Sequence, residues 1–216
     1  MKYMFTYLFF CFISHFSSSQ SLWQEGEVFF RDGKRVITLI HFNTAVEEGL
    51  LQVRVGNHME TYSPVQVEAF RFFDQEEEKD KTFYSVPIFI EKKNYYKNMF
   101  LEVIFEGDQL CLLAKKITTS IKGLDVNQKT YTRKTRPKDY ESLVILDLST
   151  SKIKPYTSYT RLKYPIDEYL NPNRRLLFQL MQDKKQEVKN YIRKNDLAYH
   201  KKGDMVQVFK FYHELK

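Results

Sequence analysis

The chain has 216 residues, 43% of them hydrophobic and 16% aromatic, enough to bury a core from its own side chains. Only 7 glycines are present and no Gly-x-Gly-x-x-Gly or P-loop pattern occurs, which excludes the glycine-rich phosphate cradles. The net charge of +7 is unevenly placed: residues 115–216 hold 23 Lys and Arg against 11 Asp and Glu (+12), leaving −5 for residues 1–114. Such asymmetry points to two surfaces with different neighbours.

At the N-terminus, Lys2 precedes an apolar run from Tyr3 to Ile13, followed by Ser17-Ser18-Ser19. A positive head, a short greasy stretch and small residues at −3 and −1 form a secretory signal peptide, 1–19, with cleavage expected before Gln20. Ser14 and His15 break the run before the roughly 20 apolar residues of a transmembrane helix. Cys11 lies inside the apolar run and not at the cleavage point, which argues against a lipid anchor. Cleavage leaves Cys111 alone, so no intramolecular disulfide forms and the core alone must hold the exported body. Cys111 stands in the apolar string Leu110-Cys111-Leu112-Leu113 and reads as a buried, inert thiol.

From Gln20 to about residue 156 the pattern is one of successive β-hairpins. Arms at 27–31 and 34–42 flank Asp32-Gly33, a dipeptide suited to the positive φ angles of a tight turn. Arms at 50–55 and 59–63 flank Gly56-Asn57, with Leu51, Val53 and Val55 alternating against Gln52 and Arg54. Strands follow at 69–73 and 81–90, the second at a sheet edge or bulged because Pro87 has no N–H to donate. A third hairpin joins 100–105 to 109–114, and a fourth joins 143–148 to 152–156 across Ser149-Thr150-Ser151. Residues 116–140, rich in Thr, Lys and Arg, are expected as a long basic loop. Trp23 is expected to pin the chain end.

After Pro165 the period becomes helical. Leu176, Leu177, Leu180 and Met181 form a stripe behind Asn173; Val188, Tyr191 and Ile192 form another; Met205, Val208, Phe209 and Tyr212 form a third. Asp183 with Gln186 makes a candidate capping box, and Asn195 and Gly203 are candidate stops or breaks. The expected fold is α+β: an antiparallel, hairpin-rich sandwich or barrel followed by a short helical segment, 166–216, packed on the sheet.

Gly26-Glu27-Val28 with Asp32-Gly33, Tyr62-Ser63-Pro64, Phe70-Arg71-Phe72, Glu102–Gly107 with Leu110–Lys115, and the lysine-rich tail to Tyr212 together resemble a group of uncharacterised exported proteins of Bacteroidota. The resemblance implies a bacterial envelope setting. It implies no activity and no catalytic residues.

The chemistry-bearing patterns are sparse. His41, His58, His200 and His213 have no mutual i, i+2 or i+4 spacing, so no local zinc motif arises. Asp74, Glu76, Glu78 and Asp80 alternate as in a calcium loop, but Lys79 and Ser85 occupy the positions where that loop needs Gly and Glu, so a solvated charged loop is the better reading. No Gly-x-Ser-x-Gly elbow is present. No catalytic, cofactor-binding or metal-ligating residue is assigned. The basic residues stand out: Lys129, Arg133, Lys134, Arg136 and Lys138 around Tyr131 in the expected loop, and Lys184, Lys185, Lys189, Arg193 and Lys194 in the helical tail. Basic surfaces with interleaved aromatics track anionic polymers. The expected function is an exported, non-catalytic binding or structural protein whose partner is an envelope protein or glycan. The alternatives are a polyanion or membrane-surface binder using the basic loop and tail, and a hydrolase without a local signature.

Overall fold

The computed structural model describes residues 23–42, 49–75, 77–90, 94–124, 133–160 and 169–216, with the backbone alone at 90, 117–124, 133–140, 158–160 and 169–170. In chain order the strands are β1 (Gln24–Phe30), β2 (Arg35–Phe42), β3 (Leu51–Val55), β4 (His58–Tyr62), β5 (Val67–Asp74), β6 (Lys79–Ile90), β7 (Tyr95–Glu106), β8 (Leu110–Leu124), β9 (Arg133–Asp147), β10 (Lys152–Pro155), β11 (Thr157–Thr160) and β12 (Tyr169–Pro172). The helices are α1 (Arg174–Leu180), α2 (Lys185–Lys194) and α3 (Lys202–Glu214), with a 3-10 turn at Gln182–Lys184. The protein is α+β: a single open antiparallel sheet of ten strands, ordered β10-β9-β8-β7-β6-β5-β1-β2-β3-β4, followed by the helices, with β11 and β12 as a separate pair.

The sheet is not flat. Four residues, 63–66, join β4 to β5, which are four strand spacings apart in the order of the sheet. Flat, that is about 19 Å, beyond the roughly 18 Å that five Cα steps can reach. The β1–β5 half therefore curls. The Phe42 ring (β2) lies 4.9 Å from Phe83 (β6) and 5.6 Å from Phe100 (β7), although β1 and β5 run between β2 and β6. Inside this curl sit Val28, Ile40, Leu51, Val53, Val67, Phe70, Phe72 and Phe83. On the opposite face the buried Glu27 carboxylate is held by Arg71 at 2.7 Å and by Arg35, tying β1 to both neighbours.

The other half curls the opposite way. Register places Phe83 and Phe100 on one face and Val86, Met99 and Leu101 on the other. Val86, Met99, Leu101, Cys111, Leu113 and Val144 form a core on that second face, with Ile153 of β10 against it. A bulge between Val103 and Phe105 lets Phe105 pair with Leu112 and face the helices. There Leu110, Leu112, Leu143 and Ile145 meet Leu177, Met181, Val188, Ile192, Met205, Val208 and Phe209. Tyr156 is fully buried among them and donates its hydroxyl to the Tyr199 carbonyl at 2.9 Å.

The three stripes read from sequence are the buried faces of α1, α2 and α3. Asn173 caps α1 through Oδ1, which accepts from Leu176 N–H at 3.0 Å. The capping box at Asp183 does not form. The Asp183 carboxylate instead accepts from the Tyr212 hydroxyl at 2.9 Å, and Gln186 donates to Asn190 at 3.1 Å. Pro87 fits because the β5 ladder ends at Tyr84: beyond it, β6 pairs with β7 alone.

Of the long loop expected over 116–140, residues 116–124 and 133–140 are strand, and 125–132 lie outside the described residues. The β8–β9 ladder continues from Leu110↔Asp147 to Leu124↔Arg133. β7 pairs with β8 only as far as Ala114, and β10 pairs with β9 only as far as Val144. From Lys116↔Glu141 outward, nine rungs form a two-stranded ribbon with no third strand beside it among the described residues, reaching roughly 27 Å. The loop reading weighed the scarcity of aliphatics and gave too little weight to β-branched Ile117, Thr118, Thr119, Ile121 and Thr135, which favour strand without needing a core.

Candidate polyanion-binding surface

Helix α2 sets Val188 and Ile192 into the core, and this fixes the direction of its basic residues. Lys185, Lys189 and Arg193 recur at i, i+4 and i+8, and so spread over about 80° of the helix surface beside the buried stripe. Lys194 falls about half a turn away from Lys185 on the same geometry, and Lys184 is half-buried in the 3-10 turn. The structure thus brings three of the tail residues onto one strip and separates the other two from it.

That strip is extended by groups the sequence did not single out. Lys189 Nζ lies 5.2 Å from the centre of the Phe178 ring, Phe178 meets Tyr199 edge-on at 6.1 Å, and the Arg174 guanidinium lies 4.3 Å over the Tyr199 ring. Cations over ring faces are held by the ring quadrupole. The result is a row, Lys189–Phe178–Tyr199–Arg174, contributed by α1, α2 and the turn before α3. Arg174 and Phe178 are four apart on one helix, a spacing visible in sequence; Tyr199 comes from 25 residues beyond Arg174 and carried no local signal.

The surroundings are net positive. Residues 173–216 hold 11 Lys and Arg against 5 Asp and Glu, and two of those acids serve the fold. Asp204 accepts from Ala198 N–H at 2.8 Å, and Asp183 takes the Tyr212 hydroxyl and sits 3.5 Å from Lys216. Burial would push the Asp183 carboxyl up, but the Tyr212 hydroxyl and the Lys216 charge outweigh it and hold it below the usual carboxylate range.

The second group of sequence candidates lies on the ribbon. Arg133, Lys134, Arg136 and Lys138 occupy its β9 arm, with Arg133 opposite Leu124, Lys134 opposite Gly123, Arg136 opposite Ile121 and Lys138 opposite Thr119. Lys129 and Tyr131 lie outside the described residues.

Other reactive groups are engaged structurally. Cys111 is buried, and burial pushes its thiol up, away from the reactive thiolate. His41 Nδ1 is 2.8 Å from Gln52 Oε1, and Trp23 lies against His41 and Arg54, which holds the entry to β1 against β2 and β3. Among the described residues no group of three or more His, Cys, Asp or Glu could hold a metal ion. In the acidic turn, hydrogen bonds from Lys79 and Lys81 draw the Glu77 carboxyl down to about 2.

Asp147 is the turn staple of the β9–β10 hairpin. Burial alone would raise its carboxyl. Hydrogen bonds from Ser149, Thr150 and the Lys154 ammonium outweigh this and hold it at about 2. A carboxyl lowered on folding from an ordinary 3.8 stabilises at pH values above 3.8, and that contribution is lost as pH falls toward 2. Asp147→Asn is expected to lower stability at neutral pH by about 1–2 kcal/mol. Denaturant melts across the acid range should show the gap to the native chain closing between about pH 4 and pH 2.

Together these features describe a mostly β protein with a fixed helical layer and two basic surfaces. No family model, curated protein or solved structure matches the chain.

Proposed function

We propose that the chain is an exported, non-catalytic binding or structural protein of the bacterial envelope. The leader pattern at 1–19 and the resemblance to exported Bacteroidota proteins support the setting. The observation that carries the binding role is the ribbon. The sheet halves and helices fill their interiors with their own side chains, whereas the outer β8–β9 arms run on past the last rungs paired with β7 or β10. Fractionation with intact-mass analysis tests the reading. The envelope or exterior fraction should hold a chain beginning at Gln20, and a soluble cytosolic chain retaining Met1 would sink it.

A second reading, a polyanion binder, is favoured by the row Lys189–Phe178–Tyr199–Arg174 and the basic strip beside it. Retention on heparin should fall as salt rises. Lys185→Gln/Lys189→Gln/Arg193→Gln should elute at clearly lower salt, with a salt slope shallower by up to about 3. Unchanged elution would remove this reading.

A further inference from the structure

We propose that one side of the β8–β9 ribbon is a docking surface for an anionic lipid membrane. The register sorts its positions into two unlike sides. Ile117↔Tyr140, Thr119↔Lys138, Ile121↔Arg136 and Gly123↔Lys134 alternate with Lys116↔Glu141, Thr118↔Asp139, Ser120↔Pro137, Lys122↔Thr135 and Leu124↔Arg133. Cross-strand partners share a side and successive residues change sides. The first side therefore collects two isoleucine positions, a tyrosine and three basic positions with no acid. The second sets three basic positions against two acids, Asp139 and Glu141, beside three hydroxylated positions, Pro137 and Leu124.

The first combination is the composition of an interfacial segment: apolar positions to enter the headgroup boundary, and cations to meet its phosphates. A soluble polyanion needs the charges but has no use for Ile117 and Ile121. The ribbon's geometry suits the task. Its root is braced by Lys202 Nζ on Glu141 Oε1 at 2.8 Å, two rungs past the last β7 pairing at Ala114, and by Leu143 N–H on Thr157 Oγ1 at 2.7 Å. Its free part projects roughly 27 Å, so the apolar positions would meet a surface while the body stays clear of it.

This rests on the envelope reading for its setting only, because purified mature protein tests it wherever the cell sends the chain. Vesicles of phosphatidylcholine with and without phosphatidylglycerol are the probe. The protein should co-sediment with the phosphatidylglycerol vesicles and not with the neutral ones. Each basic residue near an anionic surface is worth about a fivefold change in partition, so Lys134→Gln/Arg136→Gln/Lys138→Gln should weaken binding about a hundredfold. Ile117→Ser/Ile121→Ser should weaken vesicle binding while leaving heparin retention unchanged, since heparin offers no apolar phase. Both variants should melt with the native chain, because all five positions lie on rungs beyond the last pairing with β7 or β10. Should the isoleucine variant fail to fold, the charge variant decides, with Lys185→Gln/Lys189→Gln/Arg193→Gln as comparison. Vesicle binding lost through the ribbon and kept by the helix variant supports the arm. No binding to phosphatidylglycerol vesicles, loss through the helix variant alone, or indifference to folded Ile117→Ser/Ile121→Ser overturns it.

Discussion

Phe70→Ala is expected to lower the unfolding free energy by about 3–5 kcal/mol, a large share of the 5–15 kcal/mol typical of a domain. Phe70 is fully buried, and its ring centre lies 4.9 Å from Phe42, 4.8 Å from Phe83 and 5.0 Å from Phe100. Those three rings come from β2, β6 and β7, so the void would be lined by strands tethered on different sides of the curl. Such a site collapses poorly, and the cost of a truncation grows with the cavity that remains. Chemical denaturation gives the number. A loss below about 1 kcal/mol would mean that β2 does not close over β6 and β7.

Phe209→Ala is expected to cost a similar amount, about 3–5 kcal/mol. Phe209 is fully buried on α3, 6.0 Å from the Phe105 ring, and belongs to the core shared by Leu110, Leu112, Leu143 and Ile145. This variant also asks whether the helices and the curled sheet unfold together. Trp23, the only tryptophan, reports on β2 and β3 through its contacts with His41 and Arg54, while far-ultraviolet dichroism follows the helices. The two probes should give one coincident transition in native and variant chains. Phe70→Ala and Phe209→Ala lie in separate clusters and should add to within about 0.5 kcal/mol. Separate transitions would divide the chain into two folding units.

Much of this architecture was legible where local rules are strong. Asp32-Gly33 and Gly56-Asn57 marked their hairpins, and both glycines take positive φ in the structure, 85° and 60°. The i, i+3, i+4 stripes named the buried faces of the helices because each helix has one side on the sheet. Two features escaped for physical reasons. The ribbon runs beyond the strands that flank β8 and β9 lower down, and its sequence lacks the apolar–polar alternation that betrays a half-buried strand, so only β-propensity remained. The row at Tyr199 is assembled from α1, α2 and a turn, and contacts between elements leave no periodic trace. Asp183 misled because a capping carboxylate and one that binds a distant tyrosine look alike in one dimension. The open, twice-curled sheet could not be told from a sandwich or barrel, since hairpin rhythm fixes neighbours but not which way the sheet bends.

The place of β1 has a consequence for assembly. β1 to β4 pair in sequence order, and β5 then completes the second side of β1. A chain delivered N-terminus first exposes that flank until Val67–Asp74 emerges. It leaves the greasy side of β8 and β9 incompletely covered until α3, a thirteen-residue helix, follows α1 and α2. Newborn copies therefore pass through two stages in turn, each leaving a surface open to other copies, so yield during synthesis should depend on a holding factor or on dilution far more than the stability of the finished molecule would suggest.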